Sequence, residues 1–404
     1  MRLTIIFLSG MLALLSGKIN AAERTLKIYH DSDYSNHQNS ADAMRMGFLT
    51  ALAEIEHDFP GVKFELIKKD HRGNSNRSLL HMRQYLKDPQ ALAMVGGLHS
   101  PPYIKHRKFI NEQQILLLIP WAAGGPITRF PSSNNSVFRL SIDDTKAGFR
   151  IVEFAQQKMQ CQRPHLLLER TPWGESNHKT MTQALGKSTT SAVTWFSWDL
   201  KQNEAKIMLR NTLESGPDCL LFVGNAVEGR AFVEAMAALP KNQRVPIISH
   251  WGITGGSFYQ QVKDAINTKV DLHFIQSCFS LRDKPYTDNT QQVINTAIHL
   301  FPTQFSKPEL LPAPAGFIHS YDLAKIFFTS LKSIDLKADI VELRQAVREK
   351  LEALEQPVDG LIKRYVSPFS KWSAQKSDAH EALGLEDFCM ARYDTAGGIS
   401  VLPN

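Results

Sequence analysis

ALAMVGGLHSPP, residues 91–102, decides how this chain is read. Ala91 to Gly96 is apolar without alternation, the pattern of a strand covered on both faces. Gly97 to Ser100 end the run, and Pro101-Pro102 suits the first turn of a helix, where an amide donor has no partner to lose. A buried strand that turns straight into a helix is half of a βαβ unit, and chains of such units make parallel sheets.

The same pattern extends in both directions. Upstream, Thr25–His30 and Val62–Lys69 read as strands, and Ala41, Met44, Phe48, Leu52 and Ile55 recur at the spacing of an amphipathic helix. Ser75–Leu86 gives a second helix. Downstream, a helix follows Ser100 and Ile115–Pro120 is a further strand. The rhythm restarts after Phe138-Arg139-Leu140, with a helix over Asp143–Met159, a strand at His165–Glu169 and a helix after Trp173-Gly174. Strands at Ala192–Trp198, Cys219–Gly224, Val245–Ser249 and Leu272–Ser277 follow, the first three separated by helices at Asn203–Leu213 and Ala226–Leu239. From about residue 280 the chain is mostly helical, at Thr290–Leu300, Ile318–Lys332 and Ile340–Leu354, with strand-like pieces near Leu361–Val366 and Glu386–Tyr393. The expected class is α/β: two Rossmann-like, hinge-linked lobes with parallel sheets and a ligand cleft between them. The lobes are expected at 23–141 plus 279–355 and at 142–278 plus 356–404.

Composition narrows the function. With 43% hydrophobic and 21% charged residues in 404, the chain is neither a disordered tail, a collagen-like fibre nor a disulfide-dense miniprotein. The net charge of +6 drops to +4 without Arg2 and Lys18, and no basic run exceeds Lys68-Lys69, so no nucleic-acid surface is expected. Residues 1–22 read as a secretory signal: Arg2, an apolar run from Leu3 to Leu15, then Ala21-Ala22 at the cut. That run is shorter than the roughly 20 residues a membrane helix needs. Beyond it, disulfides can form. Cys161 lies just before the first strand of the second lobe and Cys219 begins its third. Those strands are neighbours in a doubly wound sheet, so a bridge between them is geometrically available. Cys278 and Cys389 then remain as a second pair, although spacing alone does not fix connectivity.

The order of motifs resembles the type I periplasmic binding proteins of the leucine/isoleucine/valine-binding family, over about residues 25–365. The matching pieces are the helix from Gly47 to Ile55 with Phe64-Glu65-Leu66, the turn Val95-Gly96-Gly97-Leu98-His99-Ser100, and Ile119-Pro120-Trp121-Ala122-Ala123 with Thr128. Phe138-Arg139-Leu140 with Asp144, Trp173-Gly174-Glu175, Ser320-Tyr321-Asp322 and Asp359-Gly360 follow in order. The resemblance implies a periplasmic, monomeric receptor that closes on a small molecule and serves an inner-membrane ABC permease, or a sensor kinase in a signalling variant. It implies no cofactor.

The resemblance also implies ligand contacts at Ser100, Trp121, Ala122, Ala123, Trp173, Asn225 and Trp251. Ser100 is expected to cap the helix that follows it, with its hydroxyl and the Tyr103 amide free for a carboxylate. Ala123 stands where the family carries a Thr, and Trp173 and Asn225 where it carries Tyr. Trp251 replaces the Glu that pairs with an amino-acid ammonium. A buried ammonium without an anion costs several kcal/mol, and an indole face returns only roughly 0.5–2. The expected ligand is therefore a flat aromatic or apolar molecule, with or without a carboxylate, rather than a simple branched-chain amino acid; a quaternary amine is a weaker fit. No HExxH, GxSxG, GxxxxGK[ST] or paired CxxC motif occurs, so no enzyme is expected. His99 beside Ser100 is read as lining the cleft, not as a catalytic base. Asp31, Asp33, His30 and His37 lack the ligand spacing of a known metal site and are read as a solvated loop.

Overall fold

A computed structural model describes residues 24–186 and 191–403. The signal-like segment 1–22 lies outside them.

The elements follow in chain order as β1 (Arg24–Ser32), α1 (Gln38–Ile55), β2 (Val62–Asp70), α2 (Ser75–Lys87), β3 (Ala91–Gly96), α3 (Pro101–Lys105), α4 (Arg107–Glu112), β4 (Leu117–Ile119) and β5 (Val137–Arg139). Next come α5 (Asp144–Gln157), β6 (Pro164–Glu169), α6 (Pro172–Leu185), β7 (Ala192–Phe196), α7 (Gln202–Glu214), β8 (Cys219–Val223), α8 (Ala226–Ala237), β9 (Ile247–Ser249), α9 (Phe258–Thr268) and β10 (Leu272–Ser277). The chain ends with α10 (Asp288–Leu300), α11 (Pro314–Leu331), α12 (Ile340–Glu352), β11 (Val358–Asp359), β12 (Arg364–Tyr365), β13 (Phe388–Tyr393) and β14 (Ile399–Val401).

Two sheets result. The first has the order β2-β1-β3-β4-β5 and is parallel throughout. The second has the order β14-β13-β10-β9-β8-β6-β7, parallel from β7 to β10 and closed by antiparallel β13 and β14. Strands β3, β4, β6, β8 and β10 are buried along their whole length, which is why they read as unbroken apolar runs.

The helices after residue 280 return to the first sheet: α10 and α11 pack on α1, and α12 reaches β3. Helix α11 is buried almost throughout, and a side chain at Gly47 of α1 would collide with the Phe317 carbonyl, so Gly47 sets how closely the two helices approach. The hairpin β11–β12 leans on α11 through Asp322, which accepts bonds from the Leu361 amide (2.6 Å) and the Tyr365 hydroxyl (2.7 Å).

The segment just beyond β5 carries a buried ionic knot. Arg139, fully buried, donates to the Gly124 carbonyl (2.9 Å), Glu381 (3.0 Å) and Asp143. Glu381 also takes Arg129 (2.9 Å) and Lys146 (3.1 Å). A charge this deep persists only with such partners, and the knot ties the C-terminal segment to the passage between the sheets.

Both cysteine pairs are disulfides: Cys161–Cys219 spans the neighbouring strands β6 and β8 at their amino ends, and Cys278–Cys389 links the end of β10 to β13. Two elements differ from those expected. Helix α9 was passed over although Phe258, Tyr259, Val262, Ala265 and Ile266 recur at helical spacing along it. The helix after Ser100 is a single turn, broken from α4 at His106.

Candidate functional site

The carboxyl ends of the strands from both sheets face one cleft. Its inner compartment is lined by Leu98, His99, Ser100 and Pro101 after β3, Trp121 and Ala123 after β4, Glu169 at the end of β6, Trp173 opening α6, Trp198 after β7, Asn225 after β8, and Trp251 with Gly252 after β9. Each therefore sits where a parallel strand hands over to the next segment, the usual place for a ligand in this kind of sheet.

The side chains nearly fill the compartment. What remains accommodates the centre of a water-sized sphere over about 10 Å³, room for about one water. The Trp121 and Trp251 rings lie 5.8 Å apart at 51°, and Trp251 rests 4.7 Å from the His319 ring. His319 is buried, and that burial lowers its pKa to about 3, so it stays neutral. Trp173 donates its indole N–H to Asp144 (3.1 Å) and meets His250 edge-on at 5.1 Å. Gly252 makes this fit: a Cβ there would come within 2.8 Å of the Trp173 ring and 2.9 Å of the Gly224 carbonyl. The indole N–H of Trp121 is buried without a partner.

Ser100 departs from its expected role. Its backbone is already helical (φ −76°, ψ −36°), so its hydroxyl makes no cap bond and instead accepts the Gly124 amide at 3.0 Å. The Tyr103 amide is not free either, because it donates to the Ser100 carbonyl at 3.1 Å.

Glu169 is the charged member of the compartment. It is fully buried, accepts from Thr171 (3.0 Å) and Asn225 (3.1 Å), and forms no ion pair with any Lys, Arg or His among the described residues. Burial, helped by the nearby charge of Glu228, pushes its pKa up to about 7 against the hydrogen bonds of Trp198, Thr171 and Asn225.

A second, larger space of about 530 Å³ adjoins the compartment and shares His99, Trp198 and Asn225 with it. Asp33, Asn36, His37, Arg72, Gly73 and Asn74 wall it on one side, and Asp199, Val227 and Glu228 on the other. The solvated-loop reading of residues 30–37 fails at this wall. His30, Asp31 and Asp33 are at most 1% exposed, the first two because β1 runs on to Ser32 between β2 and β3. His81 closes on Asp31 at 2.6 Å, and Tyr34 on His30 at 2.6 Å. For Asp33, burial alone would raise the pKa, but bonds from His37, His99 and the Asn36 amide hold it far below the usual carboxylate range. Burial lowers the pKa of His99 to about 4.

The profile of the family described as "Periplasmic binding protein" matches residues 32–258, more than half of the chain. The chain belongs to the periplasmic binding protein family. No functionally curated protein matches it. Its fold is that of solved solute-binding proteins. A possible leucine/isoleucine/valine-binding protein from Rhodopirellula baltica superposes with a TM-score of 0.77 at 14% identity, over 95% of this chain and 97% of that one. The branched-chain amino acid transporter substrate binding protein LivJ from Streptococcus pneumoniae, in complex with isoleucine, gives 0.73 at 16% identity, over 94% and 99%. An ABC transporter solute binding protein from R. palustris, in complex with benzoate, gives 0.72 at 17% identity, over 94% and 95%.

In this periplasmic binding protein, six of the seven expected contact residues converge on the inner compartment: Ser100, Trp121, Ala123, Trp173, Asn225 and Trp251. Ala122 does not; it is fully buried among Tyr103, Ile119 and Ile127 behind the cleft wall. Glu169 and Trp198 were not anticipated. The available signal was an acid ending the apolar run of β6, since a buried strand has no other reason to finish on a charge.

Proposed function

We propose that this periplasmic binding protein is the solute receptor of an ABC-type importer, capturing a small molecule between two lobes and delivering it to an inner-membrane permease. The observation that carries this reading is the inner compartment, whose lining comes from the strand ends of both sheets. A ligand seated there touches both halves, so binding and hinge closure are one event. The halves are proposed as 23–141 plus 279–355 and 142–278 plus 356–404, acting as a monomer in the periplasm after removal of residues 1–22.

Four tryptophans favour a ligand with a flat aromatic or broadly apolar body. Glu169 supports a preference about its charge. Among the described residues the acids lining the cleft are Asp33, Glu169, Asp199 and Glu228, against Arg72 and the imidazoles of His37 and His99, so a carboxylate-bearing ligand would meet repulsion. An amine would supply Glu169 with the cation it lacks and lay its charge against indole faces, each worth about 0.5–2 kcal/mol. The compartment must open to admit it, so the closed geometry corresponds to one end of the hinge motion.

Thermal unfolding in the presence of aryl amines, quaternary amines, aromatic acids, leucine and valine tests the proposal. A ligand at a hundred times its Kd adds about 2.7 kcal/mol of stability, and aromatic or quaternary amines are expected to give it. Stabilisation by leucine or valine without any by the amines would refute the ligand reading.

A further inference from the structure

We propose that Asp33, His37 and His99 form a divalent-metal site in the wall of the outer chamber, suited to a zinc-like ion and open on the chamber side. The three side chains come from separate places: Asp33 just after β1, His37 at the entry to α1, and His99 after β3. Pairing of β1 with β3, with Asp31 opposite Gly96, brings the ends of those strands together.

The spacing is that of a coordination sphere. Asp33 Oδ2 lies 3.2 Å from His37 Nδ1 and 3.4 Å from His99 Nε2, and all three donor atoms fall within 4.8 Å of one another. A tetrahedral ion with bonds of about 2.0–2.1 Å separates adjacent ligand atoms by about 3.3–3.4 Å. An octahedral ion of the same bond length would draw them to about 2.9 Å. Two imidazoles and one carboxylate suit zinc and its neighbours, and offer too few oxygens for calcium or magnesium. Three protein ligands leave a fourth position for water or for a donor atom of a solute in the chamber.

The surroundings are compatible with ligation. Asp33 Oδ1 is steadied by the Asn36 amide at 2.8 Å, and Oδ2 takes a longer bond from the Asn36 side chain (3.2 Å) that an ion would displace. His37 Nε2 and His99 Nδ1 are buried with no partner, so no other contact dictates which ring nitrogen carries the proton. With its proton on that far nitrogen each ring can turn a lone pair toward the ion, giving up its bond to Asp33 and leaving the far N–H without an acceptor among the described residues. No lysine or arginine is paired with Asp33; Arg72, on the same wall, is held by Asp70 at 3.4 Å.

The site shares only His99 with the inner compartment, and its test stands whether or not the solute reading does. Mature protein without an affinity tag, stripped with a chelator, is titrated with Zn²⁺ by calorimetry and with Co²⁺ by visible absorption. One equivalent of Zn²⁺ should bind, and Co²⁺ should give the intense visible band of a tetrahedral centre, displaced by Zn²⁺. His37→Ala, the most accessible of the three, should weaken Zn²⁺ binding by roughly tenfold or more while leaving the metal-free unfolding midpoint in place. Asp33→Asn serves as the second variant if His37→Ala folds poorly. No heat and no tetrahedral cobalt spectrum up to millimolar metal would overturn the proposal, as would unchanged Zn²⁺ affinity in either folded variant.

Discussion

Replacing Glu169 by Gln should make the protein more stable at neutral and alkaline pH and poorer at holding a cation. The wild-type carboxyl is fully buried, is bonded only by neutral groups, and has its pKa pushed to about 7 from an ordinary 4.5, first by burial and then by Glu228. Between those two values the folded chain keeps a proton that the unfolded chain has released. Stability therefore falls as pH rises from about 4.5 and stops falling above about 7. At about 1.4 kcal/mol for each tenfold, the accumulated loss is roughly 3 kcal/mol. Gln fills the same space and cannot ionise, so the variant should match the wild type near pH 4.5 and exceed it by roughly 3 kcal/mol at about pH 8. Denaturant unfolding of both proteins across that range measures the difference directly. Amine binding gives an independent readout. Wild-type affinity should rise with pH until Glu169 is ionised and then level, whereas Glu169→Gln should be weak and flat. Parallel stability–pH curves for the two proteins would refute the claim that Glu169 is a buried, unpaired acid.

The acid side of the stability curve should report Glu381 instead. Burial would raise its pKa, but the charges of Arg139, Arg129 and Lys146 hold it down to about 2 from an ordinary 4.5. Its contribution of roughly 3 kcal/mol is present above about pH 4.5 and lost as pH falls toward about 2; Glu381→Gln should remove that acid-dependent step in denaturant titrations. Opening the Cys161–Cys219 bridge with a double Ser substitution releases a loop of sequence separation 58, for which chain entropy predicts a loss of about 4 kcal/mol. Unreduced wild type and variant compared by denaturant midpoint would show it, and equal midpoints would contradict it.

The fold was legible because buried parallel strands do not alternate. Runs such as Ala91–Gly96 and Cys219–Val223 are covered on both faces, and composition alone marks them. The strands that escaped, β5, β11 and β14, are two or three residues long and too short to carry a pattern. Ser100, Trp121, Ala123, Trp173, Asn225 and Trp251, named through the resemblance, line the compartment for a topological reason: residues just past the carboxyl ends of parallel strands face the cleft. Ala122 failed by the same logic, since its neighbours on either side face the cleft and it points into the wall.

The unread residues share a different cause. His37 follows Asp33 by four positions, but His99 is 66 residues away and arrives only because β3 pairs with β1. The stretch from His30 to His37 was read as solvated because polarity was taken for exposure, yet His30 to Ser32 belong to the buried central strand β1, and only Ser35 and Asn36 between Asp33 and His37 are exposed. The acid of the inner compartment escaped for the same reason. Position 251 holds Trp, and a comparison made position by position sees a carboxylate lost. In the folded sheet the order β9-β8-β6 places Glu169 two strands from Trp251 in the same compartment, with no cation of its own. An acid that the comparison at position 251 misses is thus present at a neighbouring strand end, where the proposed amine would meet it.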